Sequence, residues 1–94
     1  MNENYYLKQE QEFEKITKEI LNLYKNKNKD YGDSFGKSIR KYGDIAALTR
    51  ISDKFNRIES LILNKEQLVK DEALEDTLKD MASYCIMYCI ELNK

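Results

Sequence analysis

No proline occurs anywhere in the 94 residues, and only three glycines do. A β-sheet of this size would need frequent turn residues, and they are missing. Helices, by contrast, tolerate or favour most of the Lys, Glu, Leu, Ile and Asn that dominate the chain. Apolar spacing points the same way. Phe13, Ile16, Ile20 and Leu23 recur at +3, +4 and +3, the seam of one helix face. Leu48, Ile51, Phe55, Ile58 and Ile62 repeat likewise, and Leu74, Leu78, Met81, Cys85, Tyr88 and Leu92 form a third stripe. The reading is all-α: an antiparallel bundle of three long helices over roughly residues 4–27, 44–63 and 70–92, with a short helix near 34–42.

The ends of these helices carry their own signals. Asp44 follows Gly43 and is expected to cap the second long helix, Ser34 the short one, and Asp71 and Glu72 supply an acidic first turn. A connection over 64–69 is short enough to make the last two helices antiparallel neighbours. Residues 1–94 are expected to form one domain, because two cores would each be too small. Three such helices barely enclose one. Tyr5, Tyr6, Leu7, Leu21, Tyr24, Ile45, Leu61, Leu63, Tyr84, Met87 and Ile90 are apolar positions beyond the seams, so a homo-oligomer is expected to cover the surplus.

Composition removes several function classes. Sixteen basic and 17 acidic residues give a net charge of −1, which argues against nucleic-acid binding through bulk charge. No stretch approaches the roughly 18 apolar residues of a membrane span, and the N-terminus has no basic start followed by an apolar run, so no secretory signal is expected. The expected compartment is the cytoplasm. Cys85 and Cys89, at i and i+4 on a helix, are poorly placed for an intrachain disulfide. Without a histidine they make no zinc set, and they are read as small buried thiols.

Polar residues of the last two helices depart from a plain surface pattern. Arg50, Asp53, Lys54 and Arg57 run beside the apolar seam of one, and Glu72, Asp76 and Asp80 stand at i, i+4 and i+8 on the other. Like charges at that spacing repel by a few tenths of a kcal/mol per pair, so something should offset them. Three readings are open: a ladder of arginines against aspartates; magnesium held by the acids; or a phosphate pocket in which Arg50, Lys54 and Arg57 make the contacts. The last two are compatible, since magnesium often bridges carboxylates and substrate phosphates. The stretch "NKDYGDSF", residues 28–35, adds Tyr31 and Phe35, which either stack on a base or cover the bundle end. Gly32 permits a bend there, while Asp30 and Asp33 cap helices or join the polar cluster. With no histidine to serve as base, metal-assisted hydrolysis is the chemistry these residues allow.

"KNKDYGDSF", "RISDKFNRIESL" and "VKDEALEDTLKDMASYCIM", in that order, resemble over about residues 25 to 90 the small "nucleotide modification associated" domain of bacteriophages and prophages. That family is in turn distantly similar to the MazG-like all-α nucleoside triphosphate pyrophosphohydrolases, which are oligomeric and magnesium-dependent. The resemblance implies a phage protein acting in the bacterial host cell on a phosphorylated nucleotide. Arg50, Lys54 and Arg57 would meet phosphates, Tyr31 and Phe35 a base, and Asp53, Glu72, Asp76 and Asp80 magnesium. It also marks a departure. The pyrophosphohydrolases carry E-E-x-x-E followed by E-x-x-D, whereas here Arg50, Asp53 and Arg57 stand in place of the paired glutamates. Two alternatives therefore stand beside hydrolysis: a non-enzymatic sponge that sequesters a cyclic nucleotide signal of host immunity, and a structural or interaction module.

Overall fold

The computed structural model describes residues 3–64 and 70–94. Among these, four helices and no strand are found: α1 (Glu3–Tyr31), α2 (Ser34–Tyr42), α3 (Asp44–Leu63) and α4 (Lys70–Leu92). The chain is all-α, and α2, α3 and α4 start and stop where the apolar spacing puts them. α1 runs a turn beyond residue 27, because nothing in "KNKNKDY" breaks a helix. It ends at Gly32, whose φ of 70° is left-handed and whose N–H donates to the Asn28 carbonyl at 2.9 Å. "NKDYGDSF" is therefore mostly helix: its first four residues close α1 and its last two open α2. Residues 65–69, which hold the expected short connection between α3 and α4, lie outside the described residues.

Two compact units divide the chain after Gly32, with Asp33–Lys94 forming the second. In the first, α1 buries Ile20 and leaves the rest of its seam open: Phe13 is 71% exposed, and Ile16 and Leu23 are exposed as well.

In the second unit, Asp33 caps α2 by accepting the Gly36 N–H at 3.2 Å. Ser34, expected as the cap, is instead the first helical residue, and the carboxylate before it takes that place. Gly43 ends α2 and opens α3 at the same time. Its N–H donates to the Ile39 carbonyl at 2.7 Å, and its own carbonyl accepts the Ala46 N–H at 3.1 Å. A φ of 83° makes this double role a glycine's task. Asp44 is thus not the cap that the sequence reading expects. It sits inside the first turn, favourable for a carboxylate near the positive end of the helix dipole, and accepts the Tyr88 hydroxyl.

Interhelical contacts pair Asp44 with Tyr88, Lys54 with Asp80, and Arg57 with Thr77. Numbers rise on α3 as they fall on α4, so these two helices are antiparallel. The core lies where α2 meets them: Phe35, Ile39 and Ala47 are buried, with Ala46, Tyr84, Met87 and Tyr88 packed around them. Further along, Ile58, Leu61 and Thr77 are buried too.

The inward line of α3 is only in part the expected seam. Ile58 is buried and Ile51 half-buried, but Leu48, Phe55 and Ile62 are exposed, while Ala47 and Leu61, outside that seam, are buried. Two apolar lines lie side by side on this helix, and the packing selects the one that contains the small Ala47, which lets α2 approach. α4 behaves alike: Leu78 and Leu92 are exposed, and so are Cys85 and Cys89, which corrects the expectation of buried thiols. No helix among the described residues is long and apolar enough to cross a membrane.

Candidate functional site

Lys54 and Arg57 lie about one turn apart on α3, and Glu72, Asp76 and Asp80 follow one another by single turns on α4. Antiparallel pairing sets these two flanks side by side. Together with Ala73 and Thr77 they line an open cleft of ≈ 490 Å³. Five of the residues singled out in the sequence are thereby brought to one place.

Within the cleft, Lys54 Nζ stands 3.6 Å from Asp80 Oδ2 and 6.0 Å from the centre of the Tyr84 ring. The Tyr84 ring is in turn 5.0 Å from that of Phe35. Arg57 is held differently. Its Nε donates to Thr77 Oγ1 at 3.2 Å, and Thr77 donates its single hydroxyl proton to the Ala73 carbonyl at 2.7 Å. With that proton committed, the hydroxyl oxygen can only accept, which fixes the direction of the bond from Arg57. Thr77 is 3% exposed, so the acceptor is rigid. Among the described residues Arg57 uses Nε alone, and its two terminal nitrogens retain their donors. The contacts at the cleft include one lysine–aspartate rung and one guanidinium–hydroxyl bond, and neither sets an arginine against an aspartate.

Other candidates fall elsewhere. Arg50 and Asp53 are exposed on α3 and do not line the cleft. Asp30 is exposed in the last turn of α1, and the side chain of Tyr31 lies outside the described residues. Phe35, expected to lie over a base, is 8% exposed and packed in the core against Tyr84. Among the described residues no three acids or thiols converge as a metal-holding group.

Asp33 joins a second polar cluster that the sequence does not announce. Its Oδ2 accepts from Arg40 Nη2 at 3.0 Å, and Arg40 Nη1 donates to Glu91 Oε1 at 2.9 Å and Oε2 at 3.2 Å. Lys94 Nζ adds a contact of 2.9 Å to Glu91 Oε1. The Arg40 bond, helped by the Gly36 N–H, holds the Asp33 carboxyl below the usual carboxylate range. Lys94, then Arg40, does the same for Glu91. Through Arg40, in the last turn of α2, this cluster ties Asp33 at the start of that helix to Glu91 at the end of α4. Sequence reasoning missed Arg40 and Glu91, which stand 51 positions apart. It also missed Thr77, whose signal is a lone hydroxyl among apolar positions facing α3.

Residues 27–92 match the family described as Nucleotide modification associated domain 1. The chain belongs to this family. The match covers more than half of the chain and takes in α2, α3 and α4 with only the last turn of α1, so the cleft lies wholly within the Nucleotide modification associated domain 1 span. No curated protein and no solved structure matches the chain.

Proposed function

We propose that this chain binds a phosphorylated nucleotide in the cleft between α3 and α4. The observation that carries the reading is the meeting of Lys54 and Arg57 with Glu72, Asp76 and Asp80 around one open cleft. Arg57, anchored through Nε, offers a planar pair of terminal donors, the geometry that phosphate oxygens accept best. Lys54 adds a point charge beside them. Arg50, exposed along the same helix, extends the basic edge for a longer phosphate chain.

The acids fit magnesium in a particular way. Glu72 and Asp76 stand one turn apart, while Asp80 is engaged with Lys54. Such a set suits an ion that arrives with substrate phosphates and keeps several waters, rather than one caged by protein. When bound, magnesium would neutralise phosphate charge and polarise the bond to be broken. Asp53, exposed and outside the cleft lining, has no part in this reading.

The wider context rests on the motif resemblance: a phage-encoded, MazG-like domain working in the bacterial cytoplasm, and self-associating. Its hydrolytic version cleaves a nucleoside triphosphate with water to the monophosphate and pyrophosphate. A second reading is favoured by the basic residues of α3, which stand where the pyrophosphohydrolase pattern has paired glutamates. On that reading the ligand, a cyclic nucleotide signal of host defence, is held and not cut.

One experiment addresses both. The protein is incubated with magnesium and a mixed pool of canonical, modified and cyclic nucleotides, and retained and converted species are identified by mass spectrometry. Retention of a nucleotide that Arg57→Ala abolishes without loss of thermal stability supports the site. Released pyrophosphate supports hydrolysis, and ligand recovered intact supports sequestration. No retention and no turnover, with Arg57→Ala merely less stable, would leave the charges as a structural contact.

A further inference from the structure

Glu72, Asp76 and Asp80 follow one another by single turns along α4, and the lining of the cleft ends with Asp80. One turn further on the same flank stands Tyr84, and one turn beyond it Tyr88. The two tyrosines are used differently. Tyr88 donates its hydroxyl to Asp44, whereas the Tyr84 hydroxyl has no hydrogen-bond partner among the described residues. Tyr84 is half-buried. Phe35 steadies its ring from the core, 5.0 Å away and tilted by 52°. The ring is thereby ordered in advance while part of it stays open to solvent.

The two cations of the cleft are also held unequally. Arg57 is fixed through Nε on the buried Thr77 hydroxyl. Lys54 is held loosely: 3.6 Å from Asp80 Oδ2 is longer than an ordinary hydrogen bond, and 6.0 Å from the centre of the Tyr84 ring is the outer limit of a cation–π contact. A phosphate entering the cleft offers charged oxygens that bind an ammonium more strongly than either partner. Lys54 then leaves the face of Tyr84 over which it stands. Thr77, the anchor of Arg57, is seven residues from Tyr84, about 10 Å along the helix axis. A ribose and a short phosphate chain bridge such a gap.

We propose that Tyr84 is the platform on which the base of a bound nucleotide stacks, uncovered when phosphate draws Lys54 away. Phe35 supports this ring from behind and does not itself meet the base. The ligand class that follows is a phosphorylated nucleotide in preference to a nucleoside. Without phosphate, Lys54 stays over the ring, and the base lacks both its anchor and its platform. This inference rests on the nucleotide reading of the cleft and adds to it the residue that recognises the base.

The test is calorimetric titration of the full chain, with magnesium throughout, comparing inorganic tripolyphosphate with the canonical ribo- and deoxyribonucleoside triphosphates. At least one nucleoside triphosphate is expected to bind about tenfold more tightly than tripolyphosphate. Tyr84→Leu should erase that advantage and leave tripolyphosphate binding unchanged, while Arg57→Ala should weaken both probes alike. Nucleotides that bind no better than tripolyphosphate, or a folded Tyr84→Leu chain that keeps the advantage, overturn the proposal and leave the phosphate site standing. Failure of every probe to bind overturns both. If Tyr84→Leu fails to fold, Tyr84→Trp decides, because the chain has no tryptophan of its own. Its fluorescence should be quenched by nucleoside triphosphates and not by tripolyphosphate, and an equal response to the two overturns the proposal.

Discussion

Replacing Gly36 with alanine sets two physical effects against each other. Gly36 is the third residue of α2, and helix propensity alone favours alanine over glycine by up to about 1 kcal/mol. The surroundings oppose it. A Cβ at this position would meet Asp33 Oδ2 at 2.5 Å, Asp33 Oδ1 at 2.6 Å and Glu91 Oε1 at 2.6 Å, well inside contact distance. These oxygens end flexible side chains, but both carboxylates are tied: Asp33 to the Gly36 N–H and Arg40, and Glu91 to Arg40 and Lys94. Making room detaches Asp33 from the helix start, which costs about 1 kcal/mol for a lost cap, and pulls Glu91 off Arg40. The expected result is net destabilisation of about 0.5–1 kcal/mol, opposite in sign to propensity. Urea unfolding by circular dichroism, at one protein concentration because association shifts apparent stability, measures it. The decisive comparison is the Asp33→Ala/Glu91→Ala background, where the obstacle is gone and Gly36→Ala should stabilise by about 0.5–1 kcal/mol. An equal effect in both backgrounds, or stabilisation of the wild type, would refute the reasoning.

Leu61, 3% exposed, should cost about 2–4 kcal/mol when cut to alanine, whereas its exposed neighbour Leu63 should change stability by no more than about 0.5 kcal/mol; chemical denaturation separates them. Thr77→Val keeps the side chain's shape and removes the acceptor of Arg57 Nε. It should cost about 1 kcal/mol of stability and weaken the retained nucleotide about tenfold by calorimetry, and unchanged affinity would show that the anchored guanidinium does not meet the ligand. Asp33 and Glu91 both have depressed pKa values, so their contribution to stability is complete above the ordinary carboxylate range near pH 4 and declines as pH falls through and below it. The difference in urea midpoint between wild type and Asp33→Asn/Glu91→Gln should accordingly shrink from about pH 6 to about pH 3, and a gap that widens on acidification would contradict the sign.

Much of the fold is legible in the sequence because its signals are local. Without proline, and with left-handed glycines at 32 and 43, the helices had few places to end. The cleft is legible for the same reason, since single-turn spacing alone puts Glu72, Asp76 and Asp80 on one flank and Lys54 and Arg57 on another. What is not local is not legible. Leu48, Phe55 and Ile62 lie on one side of Ile58 and Ala47 and Leu61 on the other, and the choice of the side that turns inward is made by α2 fitting against Ala47. Phe35 reads as a loop aromatic until the helix that contains it brings its ring against Tyr84. The Arg40–Glu91 pair joins residues whose proximity no pattern along the chain encodes.

Gly43 spends both of its backbone groups, one to finish α2 and the other to start α3. The joint therefore has no slack, and it acts as a phase lock between the helices. One residue inserted there would turn α2 by about 100° relative to α3, carrying Phe35 and Ile39 off Ala47 while leaving every local helix signal intact. Changes of length at this junction are thus excluded far more strictly than changes of composition, and the seating of α2 on Ala47 is written as much in the count of residues around Gly43 as in their chemistry.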